Sequence, residues 1–515
     1  MTEVYMFKNL RVTLIYILTV IMAVSFIGCS SKTGGADNGS GSGMANPVPE
    51  DLAGNLVISA YNAKYSAEDP YGEEENNVND NDLFMFTQTF SLQYPSVDIQ
   101  LDATLGYTEY FKTLDSRIES GDIGDVVLIS SDKLPEYVEK GWIVDLSNEA
   151  NGVTDFTDDK FGKLYPAKVY MQAAYDASMY NGRLYMCPVE YLNQVVILNL
   201  DLLKKAGIEN PVPVDSWTWE DLLAYTVALN ESGVETPVLM NYDDYSIWGS
   251  FASGFGGNVY NDVTFADKTV ELNLTDPKVI EGFKFFADNF LRTGYVSEKK
   301  TTEVKGEDLS KYGIIIADHS DIVRWQESLT AGMTENEDAG FDWEFAHFPG
   351  FKSADGTVYK NIGVKTLGFA VINRDVVKSS GASNDVAKTD EEIQEEKATI
   401  ANTIKNAKCL ALYAMVKDAA VAYAGERGYK VPAVKTANDM KFWREYPLSG
   451  KNTSVFSLYS ESDFPAVLTT FMSWNASKEI KDAIADVFAA YKADQSMMHI
   501  DELLQEIQDA ANANW

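Results

Sequence analysis

The residue types that most often carry enzyme chemistry are sparse in this chain or lack a partner at a useful spacing. Its three histidines, His319, His347 and His499, lie far apart, and none has a second metal ligand at helical or turn spacing. The glycines at 254, 256 and 257 follow no strand pattern and lack the Lys-Ser/Thr pair of a phosphate-binding loop. A Gly-x-Ser-x-Gly nucleophile turn is also absent. The sequence therefore predicts no metal, no cofactor and no catalytic residue.

The many carboxylates of the chain leave one class of enzyme possible. A glycoside hydrolase needs only two carboxyl side chains that flank a glycosidic bond. A chain with 77 acidic residues always offers such pairs, so their presence identifies nothing. A surface glycoside hydrolase therefore stays an alternative, although the missing motifs favour a binding protein over an enzyme.

Aromatic residues are the positive chemical signal, at 12% of the chain with 9 Trp and 28 Tyr. Sugar rings present apolar C–H faces between hydroxyl groups, so their binding sites combine flat aromatic side chains with Asp, Asn and Lys. Residues 241–248 have that mixture, with Tyr242, Tyr245 and Trp248 among Asn and Asp. The alternative is a surface loop whose rings pack on one another, and this stretch alone does not decide between the two.

The net charge limits the partners of the protein. The chain has 77 Asp and Glu against 42 Lys and Arg, which gives a formal net charge of −35. Such a surface repels nucleic-acid backbones and anionic lipid headgroups, so we expect no nucleic-acid partner and no polybasic docking to membranes. Apolar residues at 45% and charged residues at 23% are typical of an ordinary globular protein.

Residues 1–28 have the pattern of a signal peptide. Lys8 and Arg11 precede an uninterrupted apolar run at 12–26, which is shorter than a membrane-spanning helix. Phe26-Ile27-Gly28-Cys29 is similar to a bacterial lipobox, which implies that Cys29 is acylated and anchors the protein to the outer face of the cell membrane. Residues 29–53, rich in Gly and Ser, are then expected to form a flexible tether. The alternative is a plain signal anchor in which Cys29 has no role.

Two further cysteines remain on the outer side of the membrane, where a disulfide is possible. Cys187 and Cys409 both stand among apolar residues, which favours two buried thiols over a bridge. The sequence leaves a disulfide open.

Strand and helix patterns alternate from residue 54 onward. Apolar or alternating runs predict strands at 56–61, 97–101, 125–129, 195–198, 313–317 and 366–372. Helical periodicity predicts helices at 83–90, around 111–118, at 387–424 and at 479–511. Thr218 with Asp221 predicts a capping box, and Pro277 predicts a first helical turn. This alternation indicates an α/β fold with largely parallel sheets.

Five short motifs in a fixed order carry a resemblance to a known family. They are the strand-and-helix unit at 124–127 and 134–146, Gly-Arg-Leu-Tyr-Met-Cys-Pro at 182–188, the segment 198–208, Ser-Trp-Thr-Trp-Glu-Asp-Leu at 216–222 and Arg-Gly-Tyr-Lys-Val-Pro at 427–432. Through these motifs the chain from Gly54 onward resembles the family 1 extracellular solute-binding proteins. These are the lipoprotein or periplasmic receptors of carbohydrate ABC importers.

The resemblance implies an α/β, two-lobed periplasmic-binding-protein fold of type II. Hinge crossovers join the two lobes, and the ligand is enclosed in the cleft between them. The implied N-terminal lobe is 54–190 plus about 362–445, and the implied C-terminal lobe is 191–361 plus about 446–515.

The resemblance also implies a ligand site, position by position against the family's maltodextrin receptors. The implied ligand-binding residues are Tyr61, Asn62, Lys64, Ser131, Asp132, Asn193, Asp243, Tyr245, Trp248, Asp318, His319 and Trp474. Ile129 stands where those receptors have a stacking Trp, so a maltodextrin ligand does not follow. Trp325 is a further candidate platform, whereas Trp217 and Trp219 at a helix start are expected to be core anchors.

The implied function is that of a lipid-anchored receptor. It would capture a carbohydrate, an oligosaccharide given the aromatic supply, and deliver it as a monomer to the transmembrane subunits of an ABC importer. Two alternatives stay open. One is a receptor of the same fold for a peptide or another polar nutrient, and the other is the surface glycoside hydrolase.

Overall fold

Short strands and helices alternate through the part of the chain that the computed structural model describes. The described residues are 52–61, 82–147, 157–158, 162–211, 217–257, 259–261, 271–333, 340–352, 356, 358–359, 362–378, 389–424, 430–438, 448–456, 466–468 and 499–513. The strands are β1 (Gly54–Ser59), β2 (Val97–Asp102), β3 (Val126–Ser130), β4 (Thr157–Asp158), β5 (Gly162–Lys163), β6 (Met179–Tyr180), β7 (Arg183–Leu184), β8 (Cys187–Asn193), β9 (Val195–Asn199), β10 (Val238–Leu239), β11 (Tyr260–Asn261), β12 (Glu271–Leu272), β13 (Ile314–Ala317), β14 (Trp343–Ala346), β15 (Phe351–Lys352), β16 (Val358–Tyr359), β17 (Ile362–Val371) and β18 (Ala466–Leu468). The α-helices are α1 (Asp82–Gln93), α2 (Tyr107–Ser120), α3 (Leu134–Glu139), α4 (Pro166–Val169), α5 (Gln172–Asp176), α6 (Leu200–Lys205), α7 (Trp219–Glu231), α8 (Tyr245–Gly254), α9 (Pro277–Phe286), α10 (His319–Arg324), α11 (Gln326–Ala331), α12 (Asp390–Tyr413), α13 (Lys417–Ala424) and α14 (Ile500–Ala513).

A six-stranded sheet, called the large sheet below, draws its strands from distant parts of the chain. Its order is β18-β17-β3-β1-β2, and β8 also pairs with β17. The pairs β1/β2, β1/β3 and β17/β18 are parallel, whereas β17 runs antiparallel to β3 and to β8. All five residues of β3 are buried, as expected for a central strand covered on both faces.

A four-stranded sheet, called the small sheet below, has the order β10-β13-β9-β14. Here β10 and β13 are parallel, and β9 runs antiparallel to both of its neighbours. Gln194 alone separates β8 of the large sheet from β9 of the small sheet, so the chain passes directly from one sheet to the other. It re-enters the large sheet with β17. The lobe boundaries at 190/191 and about 362 stay a prediction.

The prediction of largely parallel sheets is wrong, because both sheets are mixed. The antiparallel pairs all involve β17 or β9, the strands that lie next to the passages between the sheets. Periodicity marks a strand as buried but does not record its direction. The α/β class itself is confirmed.

The predicted elements and their caps are otherwise found at or near the expected positions. The capping box of α7 is confirmed, with Thr218 N donating to Asp221 Oδ2 at 2.7 Å and Asp221 N donating to Thr218 Oγ1 at 3.4 Å. Pro277 opens α9 behind the N-cap Asp276. The helical stretch predicted at 387–424 is α12 followed by α13, and α14 is the described part of the stretch predicted at 479–511.

The core contains the residues that sequence reasoning assigned to it. Cys187 and Cys409 are buried free thiols, as expected. The Trp219 ring lies 4.3 Å from Phe251 between ring centroids, and Trp217 Nε1 donates to the His347 carbonyl at 2.8 Å. Both tryptophans are therefore core anchors, as predicted. Among the described residues, no helix is both long enough and apolar enough to cross a membrane.

Asp125 joins three segments of the large sheet. Its Oδ2 accepts a hydrogen bond from Val57 N at 3.0 Å, and its Oδ1 accepts one from Arg374 Nε at 2.8 Å. Arg374 Nη2 also donates to the Ile123 carbonyl at 2.6 Å. The pair is largely buried, so each charge depends on the other for its solvation.

We expect Arg374→Met to lower the free energy of unfolding by about 3–5 kcal/mol, because it leaves the Asp125 carboxylate without its countercharge. Arg183→Met is the matched control. The Arg183 side chain is 63% exposed and pairs with Asp145 at 2.8 Å. An exposed pair contributes under about 1 kcal/mol, so the control should unfold almost like the wild type in urea. Equal losses in the two variants would contradict a structural role for the Asp125–Arg374 pair.

Candidate functional site

The candidate site forms where β17 runs beside β8, close to the passage between the sheets. In their antiparallel register Lys365 lies opposite Leu192, and Leu367 lies opposite Glu190. Paired residues, and residues two apart on one strand, point to the same side of a sheet, so Lys365 and Glu190 share a face. Lys365 is half-buried and Glu190 is buried. Charges with so little access to water require partners.

Asp132 reaches the same place from the end of β3. Ser130, the last residue of that strand, pairs with Leu367 of β17. Thr366 N donates to the Ser131 hydroxyl at 3.2 Å, which fixes the turn after β3 against β17. Asp132 Oδ1 is buried and has no hydrogen-bond partner among the described residues. A hydroxyl group of a ligand could satisfy this oxygen.

Two further carboxylates come from the side of the small sheet. Asp318 directly follows β13 and caps α10, its Oδ1 accepting from two backbone amides at 2.9 and 3.1 Å. Asp244 caps α8, its Oδ1 accepting from Ser246 N at 2.9 Å. At the crossover, Gln194 Nε2 donates to Ser246 Oγ at 2.9 Å. The start of α8 is thereby tied to the segment that joins the two sheets.

Carboxylates from both sheets act on the Lys365 ammonium. The negative charge that Tyr107 carries when it ionises, and the carboxylates of Asp132, Asp244 and Asp318, raise the pKa of Lys365 well above its ordinary value, although burial acts in the opposite direction. Burial is the largest influence on the pKa of Asp132 and would raise it. The positive charges of Lys365 and Lys133 and local hydrogen bonds, including one with Ser130, together outweigh burial, so the pKa lies below the ordinary value. Both groups are therefore charged at neutral pH. Lys365 forms the electrostatic link between Asp132 and the two carboxylates of the small-sheet side.

Three aromatic rings border these charges. Tyr61 meets Tyr107 edge-on with ring centroids 5.1 Å apart, and Phe111 lies 4.8 Å from Tyr107. The Tyr61 hydroxyl donates to Glu190 at 2.7 Å. Burial raises the pKa of Tyr107 to about 12, so its hydroxyl stays neutral. The Lys365 site, as we call it below, comprises Lys365, Asp132, Asp244, Asp318, Glu190, Tyr61, Tyr107 and Phe111.

Two further charged residues, Asp321 and Arg324, lie on α10, the helix that Asp318 caps. Burial and the charge of Asp318 raise the pKa of Asp321 to about 7, against the opposite effect of Arg324, with which it forms an ion pair. Arg324 also donates to the Thr301 carbonyl at 3.1 Å. Among the described residues, no group of His, Cys, Asp and Glu is arranged to hold a metal ion.

Some of the predicted ligand-binding residues meet in this site. Tyr61, Asp132 and Asp318 belong to it, and Ser131 supports it through the bond from Thr366. The other predicted residues that the structure describes lie outside the Lys365 site or point away from it.

Asn193, Asp243 and His319 have other contacts. Asn193 lies opposite Val364 in the register of β8 with β17. Because Val364 is next in sequence to Lys365, Asn193 points to the opposite face of the sheet from Lys365. Its Nδ2 donates to the Val455 carbonyl at 3.2 Å. Asp243 forms an ion pair with Lys300, whose side chain is exposed. His319 is buried and meets Phe456 edge-on at 5.1 Å. This arrangement gives no support to their prediction as ligand contacts.

The prediction that Trp248 is a ligand platform disagrees with its burial. Its ring is fully buried and stacks on Phe283 with centroids 5.9 Å apart. The helices α8 and α9 pack so closely that a Cβ atom on Gly282 would lie 1.9 Å from the Phe251 carbonyl oxygen. Trp325, the further candidate, is also buried, and its Nε1 donates to the Val304 carbonyl at 2.9 Å. Neither ring presents a face to a ligand in this conformation.

Several predictions fall on parts of the chain that the structure leaves out. Asn62, Lys64 and Trp474 lie outside the described residues, as do Cys29, the signal peptide and the tether up to residue 51. The backbone of Tyr245 is described at the start of α8, but its side chain is not.

Sequence reasoning missed Lys365, Tyr107, Asp244 and Glu190. A charged residue inside an otherwise apolar strand is a signal that could have found Lys365 and Glu190. Tyr107 begins a helix and Asp244 caps one, and both are ordinary residues at such positions. Only the packing of α2 and α8 around the crossover brings them to Lys365.

The sequence itself places the chain in a family. Residues 82–387, more than half of the chain, match the family described as bacterial extracellular solute-binding protein. The chain belongs to this family. It is thus the solute-binding protein of an ABC importer and not an enzyme, which removes the glycoside hydrolase alternative. The resemblance drawn from the five motifs is confirmed. No curated protein matches the sequence.

Solved structures of similar fold confirm the two-sheet periplasmic-binding-protein architecture. An ABC substrate-binding protein from Listeria monocytogenes, in complex with cycloalternan, is 18% identical at a TM-score of 0.58, over 90% of this chain and 99% of its own. The sugar-binding protein MalE from Xanthomonas citri is 14% identical at a TM-score of 0.60, over 89% and 97%. UgpB from Mycobacterium tuberculosis, in complex with glycerophosphocholine, is 14% identical at a TM-score of 0.60, over 90% and 98%. At these identities the likeness shows the fold alone.

We expect Trp248→Ala to reduce the free energy of unfolding by about 3–5 kcal/mol, because it removes a fully buried ring and leaves a cavity beside Phe283. Tyr165→Ala, which truncates a ring that is 42% exposed, is the control. That variant should change stability by under about 1 kcal/mol. Chemical unfolding followed by circular dichroism compares the two. A stable Trp248→Ala variant would place the ring outside the core.

Proposed function

We propose that this solute-binding protein captures a carbohydrate, specifically an oligosaccharide, at the Lys365 site. The observation that carries the proposal is the meeting of three aromatic rings with Asp132, Asp318 and Lys365 at the passage between the sheets. Aromatic rings suit the apolar faces of sugars, and carboxylates accept hydrogen bonds from sugar hydroxyls.

Capture would occur by closure of two lobes around the ligand. Asp132 and Tyr107 come from the large-sheet side of the site, and Asp244 and Asp318 come from the small-sheet side. A ligand that contacts both groups stabilises the arrangement in which they are close, and so shifts the population toward a closed form. We propose that the transmembrane subunits of the importer recognise this closed form and receive the ligand from a monomeric receptor.

Two of the similar structures support a carbohydrate ligand. The Listeria protein is in complex with cycloalternan, and the Xanthomonas protein is named as a sugar-binding protein. The glycerophosphocholine complex of UgpB favours a second candidate, another polar nutrient in the same fold. The Lys365 site combines aromatic rings, which suit the apolar faces of a sugar, with carboxylates, which accept hydrogen bonds from its hydroxyls, and we therefore prefer the saccharide.

A ligand screen tests the proposed function. An oligosaccharide at one hundred times its Kd should stabilise the protein by about 2.7 kcal/mol, whereas glycerophosphocholine and short peptides should leave the melting temperature unchanged. The panel should include maltotetraose, cellotetraose and mannotetraose. Stabilisation by glycerophosphocholine or peptides alone would support the second candidate instead.

The same screen assigns a role to Asp132. For the oligosaccharide that gives the largest shift, Asp132→Asn should weaken binding by about 1–3 kcal/mol in titration calorimetry, because it removes a buried charged acceptor. Asp288→Asn is the matched control, since Asp288 is 47% exposed and forms an ion pair with Arg292, which is 34% exposed. Equal affinities in all three proteins would show that the ligand binds elsewhere.

We further propose that Cys29 is acylated and holds the receptor on the outer face of the bacterial cell membrane. Cys29→Ser should then move the protein from the membrane pellet to the medium or periplasm, because one removed anchor leaves only the Gly/Ser-rich tether. Immunoblots of membrane and soluble fractions measure the change, with Cys187→Ser as the control that keeps the anchor. A pellet fraction that Cys29→Ser leaves unchanged would favour an uncleaved signal anchor.

A further inference from the structure

A lysine in a ligand site ordinarily indicates an anionic ligand, because an ammonium group pairs well with phosphate or carboxylate. Lys365 stands in a different setting. The carboxylates of Asp132, Asp244 and Asp318 all act on its ammonium group, so three negative charges face one positive charge. Glu190 adds a buried carboxylate on the same face of the sheet. The site is therefore negatively charged in total, in spite of its lysine.

Among the described residues, the neighbouring cations each have partners within the protein. These pairs are Lys133 with Asp115 and Glu136, Arg324 with Asp321 and the Thr301 carbonyl, Lys300 with Asp243, and Lys430 with the Tyr423 carbonyl. Each of these ammonium and guanidinium groups thus already uses part of its hydrogen-bonding capacity within the protein.

We propose that the Lys365 site takes uncharged saccharides and rejects anionic ones such as uronic acids and sugar phosphates. This inference rests on the proposed carbohydrate function and adds the charge class of the ligand. Lys365 acts in it as a positioning residue, because its ammonium neutralises Asp132, Asp244 and Asp318 sufficiently for them to stay close together. The carboxylates then accept hydrogen bonds from sugar hydroxyls.

The selectivity follows from what each ligand group can offer. A sugar hydroxyl has a proton to donate to Asp132 Oδ1, the buried oxygen without a hydrogen-bond partner among the described residues. An ionised ligand carboxylate has no proton to donate, and it brings a like charge into a cleft from which water is excluded. The aromatic rings of Tyr61, Tyr107 and Phe111 provide no compensating positive charge.

The test uses ligand pairs that differ only in charge. Maltotetraose, cellotetraose and mannotetraose are compared with derivatives in which the C6 hydroxyls are oxidised to carboxylates, and with the corresponding C6 carboxamides. The carboxamide has nearly the size of the carboxylate but no charge, so it controls for steric effects. For the saccharide that binds, we expect the carboxylate to bind at least about tenfold more weakly than the carboxamide in titration calorimetry.

Asp132→Asn gives a second measurement, since it removes one negative charge and keeps the size of the side chain. The discrimination between carboxamide and carboxylate should fall to about threefold or less in this variant and stay unchanged in Asp288→Asn. If Asp132→Asn does not fold, the ligand pair measured on the wild type decides by itself.

The outcomes separate this inference from the function on which it rests. Carboxylate binding as tight as carboxamide binding, or tighter, overturns the charge selectivity and leaves the carbohydrate function standing. Absence of binding by every saccharide overturns the carbohydrate function, and the selectivity falls with it. Strong discrimination that persists unchanged in Asp132→Asn overturns the assignment of the selectivity to this site.

Discussion

The ammonium group of Lys365 needs countercharge, and much of the architecture around the crossover supplies it. β17 carries this lysine into the large sheet in a register fixed by β8 and β3. An ammonium with little access to water is tolerated only with paired anions nearby. Those anions come from the turn after β3 and from the caps of α8 and α10. The positive charge of Lys365 thus brings together carboxylates from the sides of both sheets, at the place where the chain passes from one sheet to the other.

Rigid surroundings hold the charged groups in place. Helix caps fix Asp244 and Asp318, since each carboxylate already accepts hydrogen bonds from backbone amides. Behind α8, the stacked rings of Trp248 and Phe283 fill the space against α9. Side chains whose supporting elements are closely packed lose little conformational entropy when a ligand binds, which favours affinity.

The composition of the site and the charge of the whole protein act in the same direction. A chain with a net charge of −35 keeps anions at a distance, and the Lys365 site has more carboxylates than cations. Aromatic rings beside carboxylates suit polar ligands without charge. Solute binding, unlike catalysis, requires only that such groups contact the ligand better in one conformation than in another.

Local patterns in the sequence determined the α/β class, the capped helices and the family, because each depends on residues that are near neighbours in the chain. They favoured buried thiols at Cys187 and Cys409 but left a disulfide open. They also placed Tyr61, Asp132 and Asp318 at the ends of strands, where ligands bind in such sheets. Local patterns could not predict the direction of the strands. They also could not predict the burial of Trp248, because the neighbours of an aromatic residue in sequence look the same whether it lies in a core or in a cleft. Lys365, Tyr107, Asp244 and Glu190 are far apart in sequence, and only the pairing of β17 with β8 and the packing of α2 and α8 bring them together.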